Sequence, residues 1–173
     1  VESKLPFEEK VKQNREAFLD RVRTISKQLG IRPEWLMLAM NIETAGTFRA
    51  DSQNPMSHAT GLIQFMPHTA ISLGTTCDNL KSMTNVQQLD YVLKYMKTYS
   101  GKMNSFEDVY LSIFYPAAVG KPDSYQLGAT AEMRRKIALQ NSAYDQNKDA
   151  VVTKAEVKFA IRKFIPKGFE GVF

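Results

Sequence analysis

Glu43 follows directly on the apolar run Trp35-Leu-Met-Leu-Ala-Met-Asn-Ile42. A run that is apolar nearly all round reads as a helix buried on most of its faces. A carboxylate at its end loses hydration, which disfavours the charged form and raises the pKa. The partial negative charge of a helix C-terminus pushes the same way. A carboxylic acid that stays protonated near neutral pH can hand its proton to a leaving oxygen, as glycosidic cleavage requires. The local pattern also admits a second reading, in which Glu43 lies on the exposed flank of the last helical turn.

The elements that would position Glu43 are helical. Phe7, Val11, Phe18, Val22, Ile25 and Leu29 recur at helical spacings, with Gly30 placed to end the stripe. Pro33 suits the first turn of the helix that carries Glu43, which should stop near Ala45 with Gly46 as its exit. From Gly46 to Met66 the chain is rich in Ser, Thr, Asn, Gly and Pro and reads as a long irregular loop, the kind that tends to carry function. A short helix is expected from about Pro67. Val86, Leu89, Val92, Met96 and Tyr99 mark another, and Phe106, Val109, Tyr110, Ile113 and Phe114 mark the next, which Pro116 stops. Two more are expected near 130–142 and 154–164. The reading is one mostly α domain, with a body over 1–128 and a small helix-loop-helix extension over 129–173 packed on it.

The segment Ile31 to Phe48 resembles the active-site helix of lytic transglycosylases and goose-type lysozymes, in which an apolar helix ends in Glu-Ser-x-Phe or a close variant. The family's next motif, Gly-Leu-Met-Gln-x-Met-Pro, is matched by Gly61-Leu62-Ile63-Gln64-Phe65-Met66-Pro67, followed by Thr69-Ala70. There are departures. Thr44 stands where the family has Ser, and Ala45 and Gly46 lengthen the turn before Phe48. The later Ala-Tyr-Asn-Ala-Gly motif is represented only by Phe114-Tyr115-Pro116-Ala117-Ala118. The resemblance covers about residues 31–120. It implies a lysozyme-like fold and peptidoglycan glycan strands as partner, cut at the β-1,4 bond between N-acetylmuramic acid and N-acetylglucosamine. Glu43 would be the acid. Gln64 would offer its amide to the sugar, and Tyr115 would place a hydroxyl near Glu43. Leu62, Phe65 and Met66 would line the cleft or simply pack the core. Such an enzyme acts in the periplasm or on the cell wall, whether secreted or phage-borne.

Two chemistries stay open. A hydrolytic lysozyme uses a second carboxylate, and Asp51 is the acidic residue available in the loop after Glu43. Asp51 could equally cap a turn in Asp51-Ser-Gln-Asn-Pro55. A transglycosylase uses Glu43 alone, and the Gly-Leu-Ile-Gln motif leans that way. A non-catalytic glycan- or calcium-binding module is the competing reading from another class.

The stretch from Asp145 to Glu156 resembles an EF-hand loop. Asp145, Asn147, Asp149 and Glu156 take positions one, three, five and twelve, Val151 would give its carbonyl at seven, and Thr153 could act through water at nine. A hard cation needs six or seven oxygens converging from one tight loop. Ala150 replaces the expected Gly at position six, where a positive φ costs a residue with a side chain about 1–2 kcal/mol. Calcium is expected as a structural ion, with no cofactor required for chemistry. His58 and His68 do not form a metal pair by spacing.

The 173 residues suffice for one domain and a sizeable core. The net charge of +5 suits an anionic partner such as the acidic cell wall. The cations are scattered, and only Arg134-Arg135-Lys136 forms a run, so nucleic acid is not expected. No window approaches the ~20 apolar residues of a membrane span. Cys77 is the only cysteine, which rules out a disulfide within the chain and suggests a small buried hydrophobe. The opening VESKLPFEEK lacks the apolar core of a secretory signal, so a processed protein or a piece of a longer one is expected. A monomer is expected.

Overall fold

Asn14 and Gly30 bracket the first helix. Asn14 takes a left-handed φ of 51° and Gly30 one of 71°, where its N–H donates back to the carbonyls of Lys27 and Ser26. Between them α1 (Arg15–Leu29) buries Phe18, Leu19, Val22, Ile25 and Leu29. The stripe expected from Phe7 therefore does not run as one helix. The reversal at Asn14 breaks it, leaving Glu8–Lys10 as a single 3-10 turn and Val11 buried by tertiary packing alone.

In this computed structural model, which describes residues 2–173, seven further α-helices follow: α2 (Pro33–Glu43), α3 (Pro67–Ser72), α4 (Cys77–Ser82), α5 (Asn85–Met96), α6 (Phe106–Phe114), α7 (Ala131–Gln140) and α8 (Lys154–Ile161). No strand longer than an isolated bridge occurs among the described residues. The fold is mostly α and forms a single domain. Helix α4 has no apolar stripe to announce it. It is nucleated by Thr76, whose hydroxyl accepts the N–H of Asn79. Thr84 and Gln87 form a full capping box at the start of α5. Tyr99 falls in a 3-10 turn beyond α5, and 162–164 likewise leave α8 as a 3-10 turn.

Helix α2 is the axis of the core. Leu36, Met37, Leu38, Ala39 and Met40 are all fully buried. Each large side chain among them contributes roughly 2 kcal/mol by leaving water. Helix α1 packs on α2 and α5, and α6 also packs on α2. One continuous core also takes in Ala138, Val152, Val157 and Ile161 from the C-terminal segment. That segment is stitched to the body through backbone bonds: Leu127 N–H donates to Val152 O, and Lys154 N–H to Tyr125 O. The buried Lys154 ammonium lies 3.3 Å from Asp108 on α6. At the far end, the Trp35 indole N–H donates to Val172 O at 2.7 Å. No helix among the described residues is long and apolar enough to cross a membrane. Cys77 is half-buried rather than enclosed, with its thiol near the Phe65 carbonyl.

Candidate active site and metal loop

Glu43 ends α2, and the chain after it turns sharply. Thr44 is buried. Its hydroxyl donates to Met40 O at 2.8 Å and accepts the Phe48 N–H at 3.0 Å. Ala45, Gly46 and Phe48 all take positive φ, and Phe48 drives into the core against the edge of Phe18. The hydroxyl that departs from the Ser pattern thus acts as a strut for the lengthened turn. Glu43 keeps part of its surface exposed. Its carboxyl is nevertheless desolvated, which raises its pKa to about 7. Such a group is an acid at neutral pH and becomes a base once its proton is given up.

The loop that follows this turn hangs on one buried side chain that sequence reasoning missed. Gln88 of α5 is fully buried; its Oε1 accepts the Leu62 N–H at 2.7 Å, and its Nε2 donates to Ala50 O and Leu80 O. Gly61, at φ 87°, is the only residue type that fits there, because a Cβ would fall 2.1 Å from Gln88 Oε1. Gln64 also takes a positive φ of 55°. Its Nε2 donates to Ser52 O and Gly61 O, so the amide nitrogen holds the loop together and Oε1 is left as the acceptor. Leu62, Ile63 and Phe65 are core residues, while Met66 is exposed. Gln64, Phe65, Met66, Thr69, Tyr95 and Ile113 share a small pocket of about 50 Å³.

Asp51 stands apart from Glu43 electrostatically: burial is what raises the Glu43 pKa. Asp51 is engaged by Arg49, which donates from Nε at 2.8 Å and from Nη2 at 2.9 Å. The paired guanidinium holds the Asp51 carboxyl below the usual carboxylate range. Tyr115 follows α6, half-buried against the core. Tyr110 of α6 and Tyr144, which precedes the acidic loop, are hydrogen-bonded to each other through their hydroxyls. Burial pushes both pKa values up, and Glu43 adds to the rise. Neither was singled out as a site residue. Tyr110 had a helical-stripe position that signals core, and Tyr144 had no local signal at all.

In the C-terminal segment, the carboxylate oxygens of Asp145, Asp149 and Glu156 approach within 4.8 Å of one another. Backbone N–H groups fix them: Asp149 and Ala150 donate to Asp145, Val151 to Asp149, and Gln146 to Glu156. Asn147 Oδ1 also accepts the Asp149 N–H. Ala150 takes φ 65°, the conformation expected at position six despite its side chain. Val152 at position eight is buried, and Thr153 pairs with Gln126 as an isolated bridge. The oxygen-only donor set fits a hard divalent cation. His58 and His68 are both exposed and belong to no such group. A concavity of about 660 Å³ lies beside α7 and is walled by Glu132, Arg135, Lys136 and Leu139, without Glu43. No family model, no curated protein and no solved structure matches this chain.

Proposed function

We propose that this protein cuts peptidoglycan glycan strands at the β-1,4 bond between N-acetylmuramic acid and N-acetylglucosamine, as a lytic transglycosylase with Glu43 as its acid and base. The observation that carries the reading is the Glu43 carboxyl, desolvated to a pKa of about 7 at the end of the most buried helix. The sequence match of Gly61–Pro67 to the transglycosylase motif supports it. Glu43 gives its proton to the bridging oxygen as the glycosidic C–O bond breaks. The muramic 6-hydroxyl then bonds to the same anomeric carbon and loses its proton to the Glu43 carboxylate. The product ends in a 1,6-anhydro ring and no water is consumed. Gln64 Oε1 is the free acceptor for a sugar hydroxyl or amide N–H.

The hydrolytic alternative needs Asp51 as nucleophile or base. Its tie to Arg49 weakens that role, because a carboxylate neutralised by a guanidinium is a poorer base. Asp145, Asn147, Asp149, the Val151 carbonyl and Glu156 would hold a calcium ion, which would supply structural cross-linking and no chemical step. The basic surface suits an acidic wall polymer, and such a substrate puts the working protein in the periplasm or on the wall. The test is clearance of purified peptidoglycan followed by mass analysis of the fragments. Anhydromuramic ends support the proposal. Reducing ends move it to a hydrolase, and no cleavage at all removes the glycosidase reading.

A further inference from the structure

Helix α7 has little tertiary packing of its own. It fully buries only Ala138. Leu139, the next residue, is 84% exposed. A single exposed leucine on a protein surface needs no explanation. Leu139 is not single, because with Ala138 and Ala150 it lines the concavity of about 660 Å³ formed by α7 and the acidic loop. That volume falls within the roughly 300–1,000 Å³ typical of small-molecule sites.

The same concavity is lined by three cations, Arg135, Lys136 and Lys148. Its walls are nonetheless largely apolar, as long cations make them when their alkyl stems cover the surface and their heads stay in water. The Lys148 ammonium is held in place by donating to the Ser142 carbonyl at 2.7 Å. Other cations of the extension are spent on the body: Lys154 on Asp108, Lys158 on Asp123 and Arg162 on Glu107. Arg135 and Lys136 form no ion pair among the described residues. Two carboxylates share the lining, Glu132 and Asp145. Asp145 is buried and accepts the N–H groups of Asp149 and Ala150, so its charge is engaged by the loop. Three cations then face Glu132 alone. Residues 129–173 carry nine Lys and Arg against five Asp and Glu, which is +4 of the chain's +5.

We propose that this concavity binds a small anionic amphiphile, with an alkyl or aryl body against Ala138, Leu139 and Ala150 and a carboxylate or phosphate on Arg135 and Lys136. A peptide fits less well. Its backbone brings N–H and C=O groups that need partners. Ser142 is the only neutral polar residue in the lining, and its carbonyl is already taken by Lys148. An alkyl body brings no such groups, whereas an acidic sugar polymer would leave the apolar lining unused. The inference is independent of the glycosidase reading, since the concavity does not include Glu43.

The experiment uses the full chain with chelator present, so that calcium plays no part. Anilinonaphthalene sulfonate, an aryl body with one sulfonate, is titrated by fluorescence. Octanoate and octyl phosphate then compete with it, and octanol is the uncharged control. One saturable site is expected, with at least one octyl anion displacing the probe about tenfold better than octanol. The stronger of the two anions names the head group. Arg135→Gln combined with Lys136→Gln should weaken the probe about tenfold. Leu139→Ser should weaken it about as much through lost apolar contact. The three side chains are exposed, so melting temperatures should stay within about 2 °C of wild type. Lys163→Gln, an exposed cation outside the concavity, should leave the affinity unchanged. Absence of saturable binding overturns the proposal, as does unchanged affinity in either concavity variant or octanol competing as well as the anions. Displacement by an acidic leucine-containing peptide and by neither octyl anion also overturns it, and makes the concavity a protein-docking surface instead.

Discussion

Gln88 and Leu62 are joined across 26 residues of chain: the Leu62 N–H donates to the buried Gln88 Oε1 at 2.7 Å. One side chain therefore ties the loop after Glu43 to the middle of α5. Gln88→Leu keeps the volume but strands the Leu62 N–H and two carbonyls in the core, at a cost of roughly 2–4 kcal/mol. Gly61→Ala should cost at least as much, since it adds a positive-φ penalty to a collision with Gln88. Urea unfolding of both variants measures this, and a loss under about 1 kcal/mol in each would show that the loop is held some other way.

Glu43→Gln should abolish wall lysis and also change how stability depends on pH. Burial raises the folded-state pKa to about 7 from the ordinary 4.5. The folded protein then binds the proton more tightly than the unfolded chain does. Glu43 costs nothing extra below pH 4.5, and its penalty grows as pH rises from there to about 7. The full penalty is on the order of 3 kcal/mol. The neutral Gln escapes it, so the variant should melt above the wild type at pH 8 and close to it at pH 4.5. A variant less stable than wild type at pH 8 would count against a desolvated carboxylate.

Asp51→Asn separates the two chemistries. In a transglycosylase it removes only the exposed pair with Arg49, worth about 0–1 kcal/mol, and activity should stay within a few-fold of wild type. A loss of a hundredfold or more, with reducing ends among the residual products, would make Asp51 the second carboxylate of a hydrolase.

If the loop holds calcium as proposed, the melting temperature of the wild type should rise when chelator is replaced by millimolar ion, because a ligand taken up by the folded state alone stabilises it. Asp145→Ala combined with Glu156→Gln removes two of the three clustered carboxylates and should melt at the same temperature under both conditions. A wild type indifferent to calcium would return residues 145–156 to the status of a polar turn.

The helical frame was largely legible because its signals are local. Gly30 ends α1 and Pro33 opens α2 where their backbone chemistry demands. The positive φ at Ala150 also followed from position in the loop. What escaped was non-local. Phe7 and Val11 keep the spacing of α1, but nothing beside them announces that Asn14 takes a left-handed φ and starts the helix there. Gln88 reads as an ordinary polar residue on α5 until the loop folds onto it. Tyr110 and Tyr144 are 34 residues apart and meet only in three dimensions. Residues whose signals lie beside them in the sequence were thus readable, and those whose partners arrive from other elements were not.

The chain has a single tryptophan, and its indole N–H is bonded to Val172 O. Trp35 therefore carries an optical label for the docking of the last residues. The same side chain sits in the first turn of the helix that ends in Glu43. When the tail is seated, the indole is partly covered; released, it meets water and its emission shifts to the red. Removing 170–173 should produce that shift in the otherwise folded protein. A spectrum taken during heating would then separate peeling of the tail from collapse of the core, without any added dye.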